Sequence, residues 1–302
     1  MPILPILVAG LSALVSFTQA SSALKPDPPM VCPSCDEWNG PREPFKVFGN
    51  TYFVGPAGVS AVLITSAAGH VLLDGGLSQS AAQIDRSIRS LGFRTEDVRV
   101  IGASHEHYDH VGGIAALQRL SGALVAHSAP GARALAQGMP LDEDPQIALG
   151  RDENAFPAVK NVRVVADGET LRVGPIAITA HMTPGHTPGA VTWSWRSCDG
   201  GRCVDIVYVD SLNPISSDSY RFTGNEGRPN VVPAFRAGLA KVAALPCDIV
   251  ISVHPAAADL DGKLKRRSTN PASDPMIDPS GCRTYAAAIS KRLDARVALE
   301  AR

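Results

Sequence analysis

Apolar positions in the first third of this chain form short runs that predict strands, interrupted by one run with a helical period. Residues 45–54, 60–66 and 69–74 are mainly apolar, and Gly- or Pro-containing turns separate them, so they predict strands of a meander. Residues 80–91 predict an amphipathic helix, because their apolar side chains recur at helical spacing. Residues 97–103 are apolar and β-branched without that period, and they predict a buried strand.

The rest of the chain repeats this order loosely. Residues 139–161 are polar, contain proline and lack a clear period, which predicts a long surface loop of a kind that often carries function. The other predicted elements are a helix at 114–120, a strand at 123–126, a helix at 131–137, strands at 162–166, 170–173, 176–181, 190–196 and 204–209, a helix at 231–244, a strand at 248–253 and a last helix at 283–300. Two halves that each run from strands through a helix to a strand favour an α/β fold of two packed sheets with helices outside.

The segment SHEHYDHVGG, residues 104–113, begins where a predicted buried strand ends. Its residues His105, His107, Asp109 and His110 follow an H-x-H-x-D-H spacing. Residues two apart on an extended backbone point the same way, so His105 and His107 can face one ion. The chain must then turn for the other two to reach a second ion. Imidazole and carboxylate without thiolate suit a catalytic zinc site better than a closed structural one.

Two later histidines also follow predicted strands. His186 lies in TPGHTPG, residues 183–189, where turns hold the backbone rigidly. His254 comes directly after the apolar stretch DIVISV and before Pro255. Both are therefore candidate ligands. The remaining histidines are expected to be structural or exposed, and they are His70, His127 and His181.

Six candidate ligands predict two zinc ions. The first ion would be held by His105, His107 and His186, and the second by Asp109, His110 and His254. Zinc lowers the pKa of bound water to about 7, which provides a hydroxide nucleophile at neutral pH. A serine nucleophile is not needed, and the sequence has no G-x-S-x-G elbow.

Composition and charge exclude several other classes of protein. The chain has 302 residues, of which 45% are hydrophobic and 19% charged, with a net charge of -1, so a nucleic acid or an acidic membrane is not an expected partner. The short basic run at residues 263–267 is expected to be a solvated loop. Nothing calls for more than a monomer.

The N-terminus predicts export. Residues 1–20 have the apolar run and small-residue cleavage positions of a signal peptide, with cleavage after residue 20 or as late as residue 23. The apolar run is too short and too broken to span a membrane. Residues 24–44 are Pro-rich and predict an N-terminal arm, and residues 45–302 are expected to form one domain.

Six cysteines fit an oxidising compartment. Cys198 and Cys203 flank a Gly-rich tip, where a disulfide would close a hairpin. A bridge between Cys247 and Cys282 would tie the last helix to a strand. Cys32 and Cys35 form a C-x-x-C, for which both a local disulfide and a free pair stay open, whereas a thioredoxin-type role is unexpected because no βαβ unit surrounds the motif.

These motifs resemble the metallo-β-lactamase superfamily. Finer similarity to subclass B3 extends from about residue 36 to the C-terminus, carried by GNTYFVG (49–55), SAVLITS (60–66), SHEHYDHVGG (104–113), PGHTPGAVTWSWRSC (184–198) and YVDSL (208–212). The resemblance implies an αββα sandwich of two mixed sheets, with two zinc ions at one edge between them. Paired cysteines of a subclass member match Cys198/Cys203 and Cys247/Cys282. That member's other bridge needs a cysteine where Ala57 and Gly58 stand here, so Cys32 and Cys35 have only each other.

The resemblance also implies an activity. The implied activity is hydrolysis of the β-lactam ring of penicillins, cephalosporins and carbapenems in the periplasm. Zinc-bound hydroxide would attack the ring, Asp109 would orient the hydroxide, and no acyl-enzyme would form. Such hydrolysis would confer antibiotic resistance. Substrate contacts are expected from Ser211, Asn213 and Gln146. Ser211 is expected near the metals, with Asp210 as the alternative. Competing hypotheses are a lactonase, a glyoxalase-type thioesterase or a phosphodiesterase on the same scaffold, or a zinc-binding protein without catalysis.

Overall fold

The computed structural model describes residues 23–270 and 274–302. The predicted signal peptide, residues 1–20, lies outside the described residues. No helix within the described ranges is long and apolar enough to cross a bilayer. In chain order, the strands of these ranges are β1 (Phe45–Phe48), β2 (Thr51–Phe53), β3 (Val62–Ile64), β4 (His70–Leu73), β5 (Val98–Gly102), β6 (Leu124–His127), β7 (Val162–Val164), β8 (Thr170–Val173), β9 (Ile176–Met182), β10 (Val191–Asp199), β11 (Arg202–Val209) and β12 (Ile249–Ser252). The α-helices are α1 (Cys35–Trp38), α2 (Ser80–Ser90), α3 (Tyr108–Val111), α4 (Ile114–Ser121), α5 (Ala129–Gln137), α6 (Val232–Ala244), α7 (Leu260–Thr269) and α8 (Gly281–Glu300).

The strands form two mixed sheets. In the first, β1 to β7 lie side by side in chain order, antiparallel from β1 to β4 and parallel from β4 to β7. In the second, the order is β12-β11-β10-β9-β8, and only β11 and β12 are parallel. One apolar cluster lies between the sheets, and two others lie beneath the helices on the outer faces. The expected αββα sandwich is confirmed.

Both faces of the central strands are apolar because both are covered. In β3, Val62 and Ile64 belong to the cluster between the sheets, whereas Leu63 packs outward with residues of α2 and α4. In β12, Ile249 belongs to the inner cluster and Val250 to the cluster under α6 and α8. Successive strand residues point to opposite faces, so strands covered on both sides lack a polar alternation.

The prediction of one strand at residues 45–54 is wrong, because β1 and β2 form a hairpin there. Gly49 turns the chain with a φ of 53°, in the left-handed region that favours glycine. A Cβ on Gly49 would also lie 2.5 Å from the Ser197 Oγ atom, so the neighbouring strand β10 requires glycine as well.

The prediction of a solvated loop at residues 263–267 is also wrong, because these residues belong to α7. Lys263 is only 6% exposed, and its neighbours Arg266 and Arg267 lie in the last turn of the helix. Cations in a last turn are favourable because they face the negative end of the helix dipole. The basic run therefore completes a helix.

All six cysteines are paired in disulfides. Cys198 and Cys203 face each other in the register of β10 and β11 and close that hairpin. The Cys247–Cys282 bridge joins the segment before β12 to α8. These two pairs are as expected, and the Cys32–Cys35 pair is a local disulfide in the N-terminal arm.

Strand directions bring the candidate ligands to one end of the sandwich. β4, β5 and β6 run parallel, and β9 and β11 share a direction because each pairs antiparallel with β10. The sheets meet at the end of β5, where the Trp193 indole N–H donates to the Ala103 carbonyl at 2.9 Å and the Val191 N–H to the Ser104 carbonyl at 2.6 Å. The segments after β5, β9, β11 and β12 can therefore converge.

His127, at the end of β6, has no exposed surface, and this burial lowers its pKa to about 3. In the unfolded chain its pKa would be about 6.5, so the unfolded state takes up a proton first as the pH falls. The contribution of the neutral histidine to the free energy of unfolding is therefore fully present above about pH 6.5. Between about pH 6.5 and pH 3 the free energy of unfolding decreases by up to about 1.4 kcal/mol per pH unit.

We expect the His127→Asn variant to be less stable than wild type at pH 7 but to lose stability less steeply between about pH 6.5 and pH 4. Its amide oxygen can accept from the Ser128 N–H, as Nδ1 of His127 does at 2.9 Å. Urea unfolding at several pH values measures both slopes. If the free energy of unfolding of the two proteins changed equally with pH, His127 would not have a lowered pKa.

Candidate metal centre

The end of β5 and a one-turn helix place four of the candidate ligands. His105 and His107 lie on the segment after β5, and His107 precedes α3 with a φ of -94° and a ψ of 148°. Helix α3 makes the predicted turn and carries Asp109 and His110. All four residues are buried. Gly112 follows at the end of α3, where a Cβ would lie 2.5 Å from the Tyr108 carbonyl oxygen, so the tight turn requires glycine.

A first group consists of three histidines from two segments. His105, His107 and His186 offer ring nitrogens that lie within 4.8 Å of one another. Their ring centroids form a nearly regular triangle with sides of 4.9, 4.7 and 4.8 Å. The Nε2 atom of His105 is buried and has no hydrogen-bond partner among the described residues.

A second group contains Asp109, His110 and His254. The Nε2 atoms of His110 and His254 lie 3.2 Å apart. Asp109 Oδ2 lies 3.1 Å from the first nitrogen and 3.5 Å from the second. Tetrahedral zinc with ligands at about 2.0–2.1 Å would place neighbouring donors about 3.3 Å apart. The three atoms therefore have the spacing of zinc ligands. A grouping of His105 with Asp109 and His110 also lies within 4.8 Å.

An oxygen atom lies within 4 Å of one ring nitrogen in each of the five candidate histidines. The pairs are His105 Nδ1 with Asp210 Oδ1 at 2.7 Å, His107 Nε2 with Asp144 Oδ2 at 3.0 Å, His110 Nδ1 with Asp74 Oδ2 at 3.7 Å, His186 Nδ1 with the Asn213 carbonyl at 2.6 Å and His254 Nδ1 with the Gly58 carbonyl at 3.2 Å. Such partners fix the ring orientation and tautomer of metal-binding histidines. The ring nitrogen available to bind a metal is Nδ1 in His107 and Nε2 in the other four histidines.

The donor set fits metal ions. Burial, with neighbouring histidines adding to it, lowers the pKa of His105 well below its usual value. Burial and His107 lower the pKa of His186 to about 3. Neutral imidazole is the form that binds metal. At His107 burial is outweighed by Asp144 and at His110 by Asp109, so the pKa of His107 is raised and that of His110 is raised to about 10. The converging ring nitrogens, the oxygen atoms behind them and a carboxylate in one group together fit metal binding.

Asp74 lies beneath the centre and was not predicted from the sequence. Its carboxylate accepts hydrogen bonds from the Ser104 N–H and Oγ, both at 2.7 Å, and from the Tyr208 hydroxyl at 2.8 Å. It has a φ of 60°, which is unusual for a residue with a side chain. Asp74 thus joins the ends of β4, β5 and β11.

Three other buried acids lie around the centre, of which Asp210 was an alternative from the sequence and the other two were missed. They are Glu106, Asp144 and Asp210, each fully buried. Burial raises the pKa of Glu106 and of Asp210 to about 7. For Asp144 the penalty of burial is outweighed by His107, and its pKa is lowered. The sequence gives no local signal for their partners, because each contact joins distant parts of the chain.

The predicted substrate-contact residues border the same end of the sandwich. Ser211 is 7% exposed and follows Asp210, whose carboxylate contacts His105. Asn213 lies next to the centre through its carbonyl, which accepts from His186. Gln146 is half-buried on the long loop, and its N–H donates to Asp144 at 2.7 Å. Ser211 and Asp210 were the two alternatives for the residue after β11 that lies near the metals. The Asp210 carboxylate contacts Nδ1 of the candidate ligand His105.

Comparisons with known proteins give a family and a group of solved structures. The model of the metallo-beta-lactamase superfamily matches residues 54–211. MEM-A1, a subclass B3 metallo-beta-lactamase from a soil metagenome library, is 48% identical, with 87% of this chain and 98% of that chain covered and a TM-score of 0.83. Rm3 metallo-beta-lactamase is 46% identical, with coverage of 90% and 100% and a TM-score of 0.86. MIM-1 from Novosphingobium pentaromativorans is 39% identical, with coverage of 87% and 93% and a TM-score of 0.80.

The contact between Asp144 and His107 is expected to strengthen zinc binding. The Asp144→Asn variant should bind zinc about 10- to 100-fold more weakly, because the amide no longer orients and polarises the imidazole as the carboxylate does. Competition with a chromophoric chelator measures the zinc affinity. Asp142→Asn is a matched control, since Asp142 lies on the same loop but is exposed. Equal zinc affinity in both variants would refute a role for Asp144.

Proposed function

Because the chain belongs to the metallo-β-lactamase superfamily and is a zinc-dependent β-lactamase of subclass B3, we propose that it uses two zinc ions to open the ring of penicillins, cephalosporins and carbapenems. It would thereby confer resistance to these antibiotics. The observation that carries this proposal is the convergence of two ligand groups at one end of the sandwich. Each group leaves room in its coordination for water or substrate, as catalytic sites require.

His105, His107 and His186 would hold the first zinc ion, and Asp109, His110 and His254 the second. When bound, zinc supplies a water acidified to a pKa of about 7 and a Lewis acid for the lactam carbonyl. Asp109 would bind metal through Oδ2, the oxygen nearest to His110 and His254. Its other oxygen, Oδ1, would accept a hydrogen bond from the attacking water and orient it towards the carbonyl carbon. Asp109 therefore acts both as a ligand and as the catalytic orienting group.

Substrate would be held by polar groups beside the centre. The Ser211 hydroxyl and the Asn213 amide follow β11 and would donate hydrogen bonds to the carboxylate of a β-lactam. Gln146 would line the cleft from the long loop. The Asn213 carbonyl already fixes His186 at 2.6 Å, so substrate binding at this segment is coupled to the geometry of the first ligand group.

Export to the periplasm is part of the proposal. Three disulfides favour an oxidising compartment. Residues 1–20 have the pattern of a signal peptide. The mature protein would then meet β-lactams as they enter the periplasm.

The direct test is carbapenem hydrolysis by the purified mature protein before chelation, after chelation and after zinc is restored. Turnover should disappear with the chelator and return with zinc. In His105→Ala, zinc binding at the first group and turnover should be lost together, by at least about 100-fold in kcat/KM. His181→Ala is the matched control, because His181 is half-buried and its Nε2 faces Ser194 at 2.7 Å rather than the centre.

Full activity of His105→Ala would refute the ligand assignment. A panel of thioester, lactone and phosphodiester substrates distinguishes a β-lactamase from the other hydrolases that share this scaffold. Turnover of one of these, without β-lactam turnover, would replace the proposed substrate. Zinc binding without turnover of any substrate would contradict catalysis itself.

A further inference from the structure

Glu106 is a buried carboxylate that the ligand groups do not use. It lies between His105 and His107 in sequence, but its carboxylate contacts Thr187 and Gly189. Its side chain is completely buried. Within the described parts of the chain, no lysine or arginine forms an ion pair with it, and Nε2 of His127 lies 3.7 Å from its Oε2. An ionisable group buried without a cation is costly unless hydrogen bonds satisfy it.

Both oxygens of Glu106 are satisfied by the turn that carries His186. The Thr187 hydroxyl donates to Oε2 at 2.8 Å, and the Gly189 N–H donates to Oε1 at 2.9 Å. The approach is close enough that a Cβ on Gly189 would lie 2.6 and 2.8 Å from the two carboxylate oxygens. The turn is also held from its other side, where the Ser128 hydroxyl donates to the Gly189 carbonyl at 2.6 Å.

These contacts connect two segments that are 81 and 83 residues apart in sequence. One segment carries His105 and His107, and the other carries His186, so all three ligands of the first group are involved. We propose that Glu106 is a positioning residue that fixes the turn of His186 against the segment of His105 and His107, and thereby sets the spacing of the three-histidine group for zinc. It touches neither metal nor substrate.

This inference rests on the proposed function in one respect, because both concern the same metal centre. Its readout is metal binding rather than turnover, so it is tested even if the protein hydrolyses another substrate. The informative variants are Glu106→Gln, which keeps the shape but replaces one acceptor with a donor, and Thr187→Val, which removes only the hydroxyl donor. Thr187→Ser keeps that hydroxyl and serves as the conservative rescue.

The experiment measures zinc affinity by chelator competition and the visible spectrum of the protein loaded with Co²⁺, which reports ligand geometry. Glu106→Gln and Thr187→Val should each weaken zinc binding by about tenfold or more and shift the Co²⁺ bands, whereas Thr187→Ser should match wild type. The double variant Glu106→Gln/Thr187→Val should bind no more weakly than Glu106→Gln alone, since both changes break one contact.

Asp85→Asn is the control for lost stability. Asp85 is also buried and accepts hydrogen bonds from Thr95 and Arg89, but it lies on α2 and contacts no ligand segment. If Glu106→Gln and Asp85→Asn lower the melting temperature alike and both keep wild-type zinc affinity and Co²⁺ spectra, the inference is overturned. It is also overturned if Thr187→Val behaves as wild type. Should Glu106→Gln fail to fold, the comparison of Thr187→Val with Thr187→Ser decides.

Discussion

The structure of this centre depends on oxygen atoms that hold the imidazole rings through their second nitrogens. Two of these oxygens are backbone carbonyls, of Gly58 and Asn213, and the others belong to the buried acids Asp74, Asp144 and Asp210. In His105, His107, His186 and His254 one ring nitrogen lies within 3.2 Å of such an oxygen, whereas in His110 the separation is 3.7 Å. A ring that is oriented before metal binds loses little conformational entropy on binding, which favours affinity.

Burying so many ionisable groups is unfavourable, and the fold offsets this cost in two ways. Apolar layers between the sheets and beneath the helices supply the hydrophobic stabilisation. Hydrogen bonds then satisfy individual acids: Asp74 accepts from Ser104 and Tyr208, and Glu106 from Thr187 and Gly189. The same contacts join the two sheets at the end where the ligands converge, so the site and the packing of the sheets stabilise each other.

Much of this arrangement follows from local sequence patterns. The H-x-H-x-D-H spacing and the histidines after two buried strands predict the six candidate ligands, and hydrophobic periodicity predicts most helices and strands, because these signals act over a few residues. The oxygen partners were not predicted, since the contact of His107 with Asp144 spans 37 residues and that of His254 with Gly58 spans 196. The two structural errors have similar causes. Gly49 turns the chain inside an apolar run, and helix α7 buries Lys263 within a run that looks fully solvated by composition.

The proposed centre holds two zinc ions in two distinct ligand groups. Anomalous diffraction at the zinc edge, from crystals of the zinc-loaded protein, tests it most directly. We predict two peaks, one among His105, His107 and His186 and the other among Asp109, His110 and His254. A single peak shared by His105, Asp109 and His110, the other close grouping of these side chains, would contradict it.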